Sequence, residues 1–165
     1  MENDYGMCAR CNKPLTDYQL QLDRRVERME YQPLGHSDFK GIVTVLYAEE
    51  LACYCSTDCS SIGVQKELQD RSIINTGGSI GPVTSCAKCR AVIDMTQPYV
   101  HYEKMAVTVN KKPWLTSLTV LDSESIADVC INCDPDGVLL AVTQQLESTA
   151  NTVVQPVTRA LTNIN

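Results

Sequence analysis

Aromatic residues, histidines and surplus basic charge are all scarce in this chain of 165 residues. There are one tryptophan, one phenylalanine and two histidines, and the formal net charge is −6. Binding to nucleic-acid backbones depends on surplus Lys and Arg, so the acidic balance disfavours nucleic acid as the main partner. We see no signal peptide at the N-terminus and no apolar run near the roughly 18 residues that span a membrane. We therefore expect a soluble protein without a membrane partner, either in the reducing cytoplasm or in a particle assembled inside the cell.

Catalytic motifs are missing as well. The sequence contains no HExxH helix, no glycine-rich phosphate loop and no nucleophile elbow. His101 is expected on a strand, either packed inside or facing out. We predict that the protein is not an enzyme.

Cysteine, in contrast, is abundant, and eight of the nine cysteines fall into four close pairs. Two thiolates on one tight turn and two on another, separated by a long excursion, form a tetrahedral zinc site. A reducing compartment favours metal over disulfides. We predict two structural zinc ions per chain, which would bring the net charge near −10, because each four-thiolate site adds about −2. The predicted ligands are Cys8, Cys11, Cys55 and Cys59 for one ion, and Cys86, Cys89, Cys130 and Cys133 for the other.

The two cysteine quartets belong to an internal repeat. The first CxxC pairs lie 78 residues apart, and residues 39–55 align with residues 114–130 at an offset of 75 without a gap. Six of these 17 positions are identical. Cys53 aligns with Asp128, so we predict that Cys53 is a small buried residue and not a ligand.

Each excursion between cysteine pairs predicts a β-hairpin. Tyr18, Leu20 and Leu22 alternate with polar residues, and residues 43–46 and 118–121 are β-branched and apolar. Turn signals at 33–35 and 110–113 separate the strands.

A helix is expected after each second pair. Ser56 is a candidate N-cap for a helix reaching about Arg71, and Asp134 followed by Pro135 is typical of another helix start. Cys59 and Cys133 would then lie near helix N-termini, where the partial positive charge favours thiolate.

The segment Tyr54-Cys55-Ser56-Thr57-Asp58-Cys59 resembles the YCS-x-x-C end of TRASH-like or LIM-like treble-clef zinc fingers. The second copy departs from this pattern, since residues 129–133 lack the Tyr and Ser and have one spacer residue fewer. The resemblance implies protein contacts as the usual role, with metal sensing or nucleic-acid binding in some members. It implies a small zinc-stabilised α+β fold of two tandem treble-clef or zinc-ribbon-like lobes, each with a knuckle, a β-hairpin and a helix. We place the lobes at 1–71 and 86–135, a Gly-rich linker at 72–85 and a C-terminal helical segment at 136–165.

The C-terminal segment carries a stripe of apolar residues at helical spacing, interrupted by Pro156, which would kink a helix. The stripe either covers the protein's own lobes or docks on a partner or on a second copy. Its candidate contact residues are Leu139, Val142, Leu146, Val153, Val157 and Leu161.

Two further surfaces are candidates for partner binding. Lys111 and Lys112 lie beside Trp114 at one predicted hairpin tip, and Phe39 is equivalent to Trp114 in the other copy. An arginine cluster lies at 24–28, with glutamates interleaved.

These features favour a non-enzymatic zinc-binding adaptor or assembly protein, for example a structural component of a virion or another large complex. The alternative is a zinc-finger regulator that binds nucleic acid through the two basic surfaces. A third hypothesis is a CxxC thiol-redox protein.

Overall fold

Two long β-hairpins form the body of the structure. The computed structural model describes residues 5–35, 38–112, 114–133 and 159–160. In chain order, its elements are strands β1 (Tyr18–Gly35) and β2 (Asp38–Tyr54), helix α1 (Thr57–Asp70), short strands β3 (Val83–Ser85) and β4 (Val92–Asp94), strands β5 (Tyr99–Lys112) and β6 (Leu115–Val129), a 3₁₀ turn (Ile131–Cys133) and strand β7 (Arg159–Ala160).

The hairpins from the two halves join in one sheet. Its order is β6-β5-β1-β2-β7, and β1 pairs antiparallel with β5 from Tyr18 opposite Thr108 to Glu27 opposite Tyr99. Strands β3 and β4 form a separate small sheet. The predicted α+β class is correct, with one helix and a mostly antiparallel sheet in the described chain. Because β1 of the first half pairs with β5 of the second half, one sheet extends over both of the predicted lobes.

The internal repeat is visible in the β-bulges of both hairpins. In the first hairpin, Leu46 and Leu51 are the extra residues on β2. In the second hairpin, Leu121 and Ile126 are the extra residues on β6. These positions are related by the same offset of 75 that aligns the two sequences. Bulges bend a strand and increase its twist, so both copies curve at equivalent places.

The two copies are related by an approximate two-fold axis between β1 and β5. The bulges in the two hairpins follow Leu22 and Tyr102, which are 80 residues apart. At this offset Asp23 is equivalent to Glu103, and these two residues lie directly opposite each other. The axis therefore passes through this pair.

The central position of β1 explains why its alternating pattern misleads. Gln19 and Gln21 are 4% and 3% exposed, although the pattern predicts that they face solvent. Tyr18, at the start of the strand, is 44% exposed. The middle of β1 has a strand on each side and is covered on both faces, so its polar residues are buried too.

The strands are also longer than the turn signals predict. Residues 33–35 still belong to β1, and Pro33 lies opposite Phe39. Gly35 has φ +93°, a left-handed conformation that glycine adopts readily. In the second hairpin β5 runs through Lys112, and Trp114 lies in the turn.

The segment 72–85 is attached to the sheet by hydrogen bonds. The amides of Thr76 and Gly77 both donate to the carbonyl of Ile126 at 2.9 Å, and the Tyr31 hydroxyl donates to the carbonyl of Gly81. Ile73 is buried, whereas most of the other residues of the segment are exposed. The segment predicted as a linker is therefore held at a few points to the sheet and is otherwise accessible to solvent.

The predicted C-terminal helix is not confirmed. At Arg159–Ala160, the only described residues after 133, the backbone forms β7 against Ile42 and Val43. The helix start predicted at 134–135 lies outside the described residues. Within the described chain, no helix has both the length and the apolar content that crossing a membrane requires.

Candidate metal centres

The first cysteine quartet is assembled from three elements. Cys8 and Cys11 lie on a tight turn in which the amide of Cys8 donates to Lys13 at 2.8 Å and the amide of Asn12 donates to Cys8 at 2.9 Å. Cys55 follows β2. Cys59 lies in the first turn of α1, whose N-cap is Ser56, as the sequence predicts. The Ser56 hydroxyl accepts from the amide of Cys59 at 3.2 Å.

The second quartet repeats the turn, and its last two cysteines lie at a 3₁₀ turn, the last element that the structure describes before residue 134. The amide of Cys86 donates to Ala91 at 2.8 Å, and the amide of Arg90 donates to Cys86 at 3.0 Å. Arg90 has φ +66°, and its equivalent Asn12 has φ +57°. Cys130 and Cys133 lie at a 3₁₀ turn, where the amide of Cys133 donates to the carbonyl of Cys130 at 2.9 Å.

Both quartets have the dimensions of a four-sulfur metal site. All four sulfurs of each quartet lie within 4.8 Å of one another. The Sγ atoms of Cys11 and Cys55 are 3.5 Å apart, and those of Cys89 and Cys130 are 3.7 Å apart. A zinc–sulfur bond of about 2.3 Å places tetrahedral ligands about 3.8 Å apart. The structure therefore brings together the two predicted ligand sets, and each could hold one metal ion.

Backbone amides stabilise one thiolate in each quartet. Burial raises the pKa of Cys8, but the amides of Cys11, Cys55 and Arg10 outweigh it and lower that pKa to about 6. The pKa of Cys86 is likewise lowered to about 6 by amides that outweigh burial. The Sγ of Cys86 accepts from three of these amides, those of Lys88 and Cys89 at 3.4 Å and of Cys130 at 3.3 Å.

Other sulfurs of the quartets keep their protons more tightly. Hydrogen bonding with Cys11, followed by burial, raises the pKa of Cys55 to about 12. Burial, followed by hydrogen bonding with Cys89, raises the pKa of Cys133 to about 12. Four thiolates at this distance repel one another, and a central divalent cation supplies the charge that allows all of them to ionise. The donor set therefore fits a soft, thiolate-binding metal.

The first quartet has two further stabilising groups. A separate hydrogen bond, from the Ser56 side chain to the Cys59 sulfur, is the largest factor that lowers the pKa of Cys59. The guanidinium of Arg10 lies 4.0 Å from the Sγ of Cys59. Both place positive or partial positive charge beside a thiolate.

Cys53 lies outside the quartet and is buried, as predicted. Burial raises its pKa to about 12, which makes it a poor nucleophile at neutral pH. Its carbonyl accepts from the amide of Ala9 at 2.9 Å, and the carbonyl of the equivalent Asp128 accepts from Ala87 at 2.8 Å. This position therefore anchors each cysteine turn to the sheet through its backbone.

A buried His–Asp pair at this position was not predicted. Asp128 is 1% exposed, and its Oδ1 lies 2.8 Å from Nδ1 of His101. Burial alone would lower the pKa of His101. The Asp128 hydrogen bond and the charge of Glu27 outweigh burial, so the pKa of His101 is raised above its ordinary value. The sequence did contain one indication of it: Asp128 aligns with Cys53, which was predicted to be buried, so a buried carboxylate with a partner could have been expected there.

The arginine cluster is occupied by ion pairs, which corrects the view of it as a basic surface. Arg24 is 3% exposed and paired with Glu49. Arg25 is paired with Glu103 and, at 3.4 Å, with Asp23.

The hairpin tip in the second copy is accessible. Trp114 is 82% exposed, and Lys112 is exposed. Lys111 lies over the ring of Tyr5 at 5.0 Å. The side chain of Phe39 lies outside the described part of the structure, as do all six candidate residues of the C-terminal stripe, Leu139, Val142, Leu146, Val153, Val157 and Leu161.

Searches of protein families, curated proteins and solved structures with this chain found no match.

Proposed function

We propose that the protein is a non-enzymatic zinc-binding adaptor or assembly protein, in which each cysteine quartet holds one structural zinc ion. The observation that carries the proposal is the convergence of two four-sulfur sets, each within 4.8 Å. Four thiolates in tetrahedral arrangement select zinc or iron among the common metals. A site closed by four protein ligands has no open position for substrate, which favours a structural role.

Metal at these positions would stabilise the ends of the sheet. In the first copy one ion would connect the turn at 8–11, the end of β2 and the start of α1. In the second copy it would connect the turn at 86–89 to the end of β6. Since such a site does not exist in the unfolded chain, the free energy of metal binding contributes to folding. The proposed role of the cysteines is therefore the one they have in treble-clef zinc fingers, where the metal stabilises the fold.

The proposed partner is another protein. An exposed tryptophan is a common anchor of protein interfaces, and Trp114 is 82% exposed at the tip of a hairpin. The C-terminal segment is polar, Thr-rich and Asn-rich outside its apolar stripe, and we propose that it docks on a partner or a second copy. A component of a virion or another large complex is one form of this proposal.

Metal analysis tests the zinc proposal directly. Elemental analysis and native mass spectrometry of protein purified with reductant should find two zinc ions per chain. Cys8→Ser should bind one ion fewer, whereas Cys53→Ser should keep both and serves as the matched control. Fewer than one zinc per chain, with thiols oxidised in pairs, would falsify the proposal in favour of the redox alternative.

The exposed Trp114 beside Lys112 keeps the nucleic-acid regulator as a second candidate, because such a surface suits a stacked base. The discriminating experiment measures binding to single-stranded and duplex DNA and RNA at two salt concentrations. Binding that weakens with salt and is lost when Lys111 and Lys112 are changed to Glu supports the regulator. Binding that is absent, or insensitive to both changes, supports the adaptor.

A further inference from the structure

The two outer strands of the repeat are equivalent, but among the described residues only β2 has a further strand on its outer side. β7 pairs with β2 at Ile42 and Val43. The equivalent residues on β6 are Ser117 and Leu118, and within the described residues no strand lies beyond β6. An edge strand presents unpaired N–H and C=O groups that can pair with another strand.

The apolar side chains at this edge are more exposed than their counterparts. Leu118 and Leu121 are 46% and 56% exposed. Their equivalents Val43 and Leu46 are partly buried and pack against the core. Since the repeat places these pairs at corresponding positions, the contrast shows that, within the described part of the chain, the side chains of β6 are less covered than those of β2.

The composition of this edge favours pairing with a copy of itself. The segment 115–121 reads LTSLTVL, without a charge, a glycine or a proline. Protected edge strands usually carry a lysine, a proline or a bulge. Here the bulge lies at the far end, at Leu121, and the first charge follows at Asp122.

We propose that β6 pairs antiparallel with β6 of a second copy, centred on Leu118, to form one sheet across the two chains. Thr116 of each copy would then lie opposite Val120 of the other, and the two Leu118 side chains would lie opposite each other. This interface is isologous and closes as a dimer. The inference deepens the proposed function, on which it rests, by assigning a surface for self-association.

The flanking charges restrict the register of this pairing. Centring the pair on Asp122 would place two carboxylates directly opposite each other, and like charges in that position are destabilising. Towards the N-terminus the strand ends at Leu115. The uncharged segment centred on Leu118 is therefore the register that the sequence favours.

We expect a reversible dimer of modest affinity. A single pair of short strands buries less than the roughly 1,600 Å² of a standard protein interface. Assembly should therefore depend on protein concentration.

The experiment is sedimentation equilibrium of the metal-loaded full chain over a concentration series. The wild type should show a monomer–dimer equilibrium. Leu118→Lys should raise the dissociation constant at least about tenfold, because it places two like charges opposite each other. Ser123→Lys introduces the same charge at an exposed position on the same strand outside the segment, and should dimerise as the wild type does.

Hydrogen exchange of the wild type provides a readout that does not depend on a variant. Amides in 115–121 should exchange more slowly at high than at low protein concentration, while those in 40–46 should not change. A wild type that stays monomeric overturns the inference. So does a dimer that Leu118→Lys and Ser123→Lys affect equally. Metal content separates the two proposals: a monomer with two zinc ions contradicts only the strand pairing, whereas a protein without metal contradicts the proposed function.

Discussion

Asp23 and Glu103 face each other across the β1–β5 ladder, and Arg25 pairs with both carboxylates. The two acids are 9% and 5% exposed, and the side chain of Arg25 is 14% exposed. Two carboxylates side by side at low solvent access repel each other unless a cation compensates them. Arg25 therefore stabilises the junction of the two halves.

Replacing Arg25 with Met, the residue at the equivalent position 105, should destabilise the protein by about 3–5 kcal/mol, the range for breaking a buried ion pair. The measurement is urea denaturation of the metal-saturated protein. Arg28→Met is the control, because the side chain of Arg28 is 45% exposed and its pairing with Glu30 is long, at 3.6 Å. We expect the control to change stability by less than about 1 kcal/mol. Equal losses in the two variants would contradict the role of Arg25.

Gly63 is required by the packing of α1 on Tyr54. A Cβ at position 63 would lie 2.1 Å from Cε1 of Tyr54, and Tyr54 is 1% exposed. Gly63→Ala should therefore destabilise the protein by about 1–3 kcal/mol through overpacking, although alanine favours helices by about 1 kcal/mol over glycine. Thermal unfolding measures this. Ser61→Ala on the exposed side of the same helix should be neutral or slightly stabilising, and a stabilised Gly63→Ala would refute the contact.

Ser56 links the helix N-terminus to the first metal site. Ser56→Ala removes the bond to the amide of Cys59 and should cost about 1 kcal/mol of stability. It should also weaken metal binding at this site only, because the same serine lowers the pKa of Cys59. Competition with a chromophoric chelator measures both sites, and Thr57→Ala provides the neighbouring control. Equal weakening of both sites would argue against a local effect.

Glu27 should make stability depend on pH. Burial raises its pKa above the ordinary value of 4.5, so the folded protein retains a proton that the unfolded chain loses. Stability contributed by this proton decreases as pH rises from about 4.5 through the raised pKa. Glu27→Gln should therefore be more stable than wild type, with a difference that grows across this window and then levels off.

Urea denaturation at a series of pH values tests the Glu27 prediction. Comparing the variant with wild type cancels the pH dependence that the cysteines contribute to both. Glu30→Gln, at an exposed position on the same strand, is the control for removing a carboxylate. A difference between Glu27→Gln and wild type that does not vary with pH would contradict the buried, proton-retaining carboxyl.

The sequence predicted the features that depend on local chemistry. The cysteine spacing predicted both quartets, and the cap at Ser56 predicted the start of α1 to within one residue. The alignment of Cys53 with Asp128 separated the buried cysteine from the ligands.

The pairing of β1 with β5 could not be predicted in this way. It buries Gln19, Gln21 and Asp23, which a strand pattern assigns to solvent, and it includes the ion pair of Arg25 with Glu103, 78 positions away. Local patterns describe one strand at a time, and they do not indicate which strand becomes its neighbour. The contact of His101 with Asp128 could not be predicted for the same reason. Each residue by itself looks like an ordinary polar residue on a strand, and the pairing of β5 with β6 brings the two together.

The two-fold axis through Asp23 and Glu103 relates two halves of one chain, and this affects how their sequences can diverge. In an assembly of two identical chains, any substitution appears twice and on both sides of the axis. In one continuous chain the two sides vary separately, so a residue can be present once. Arg25 is such a residue: its equivalent is Met105, whose Sδ accepts a hydrogen bond from Nη2 of Arg25 at 2.8 Å. One guanidinium therefore pairs with both carboxylates. In a symmetric dimer a second arginine would have to fit into the same space.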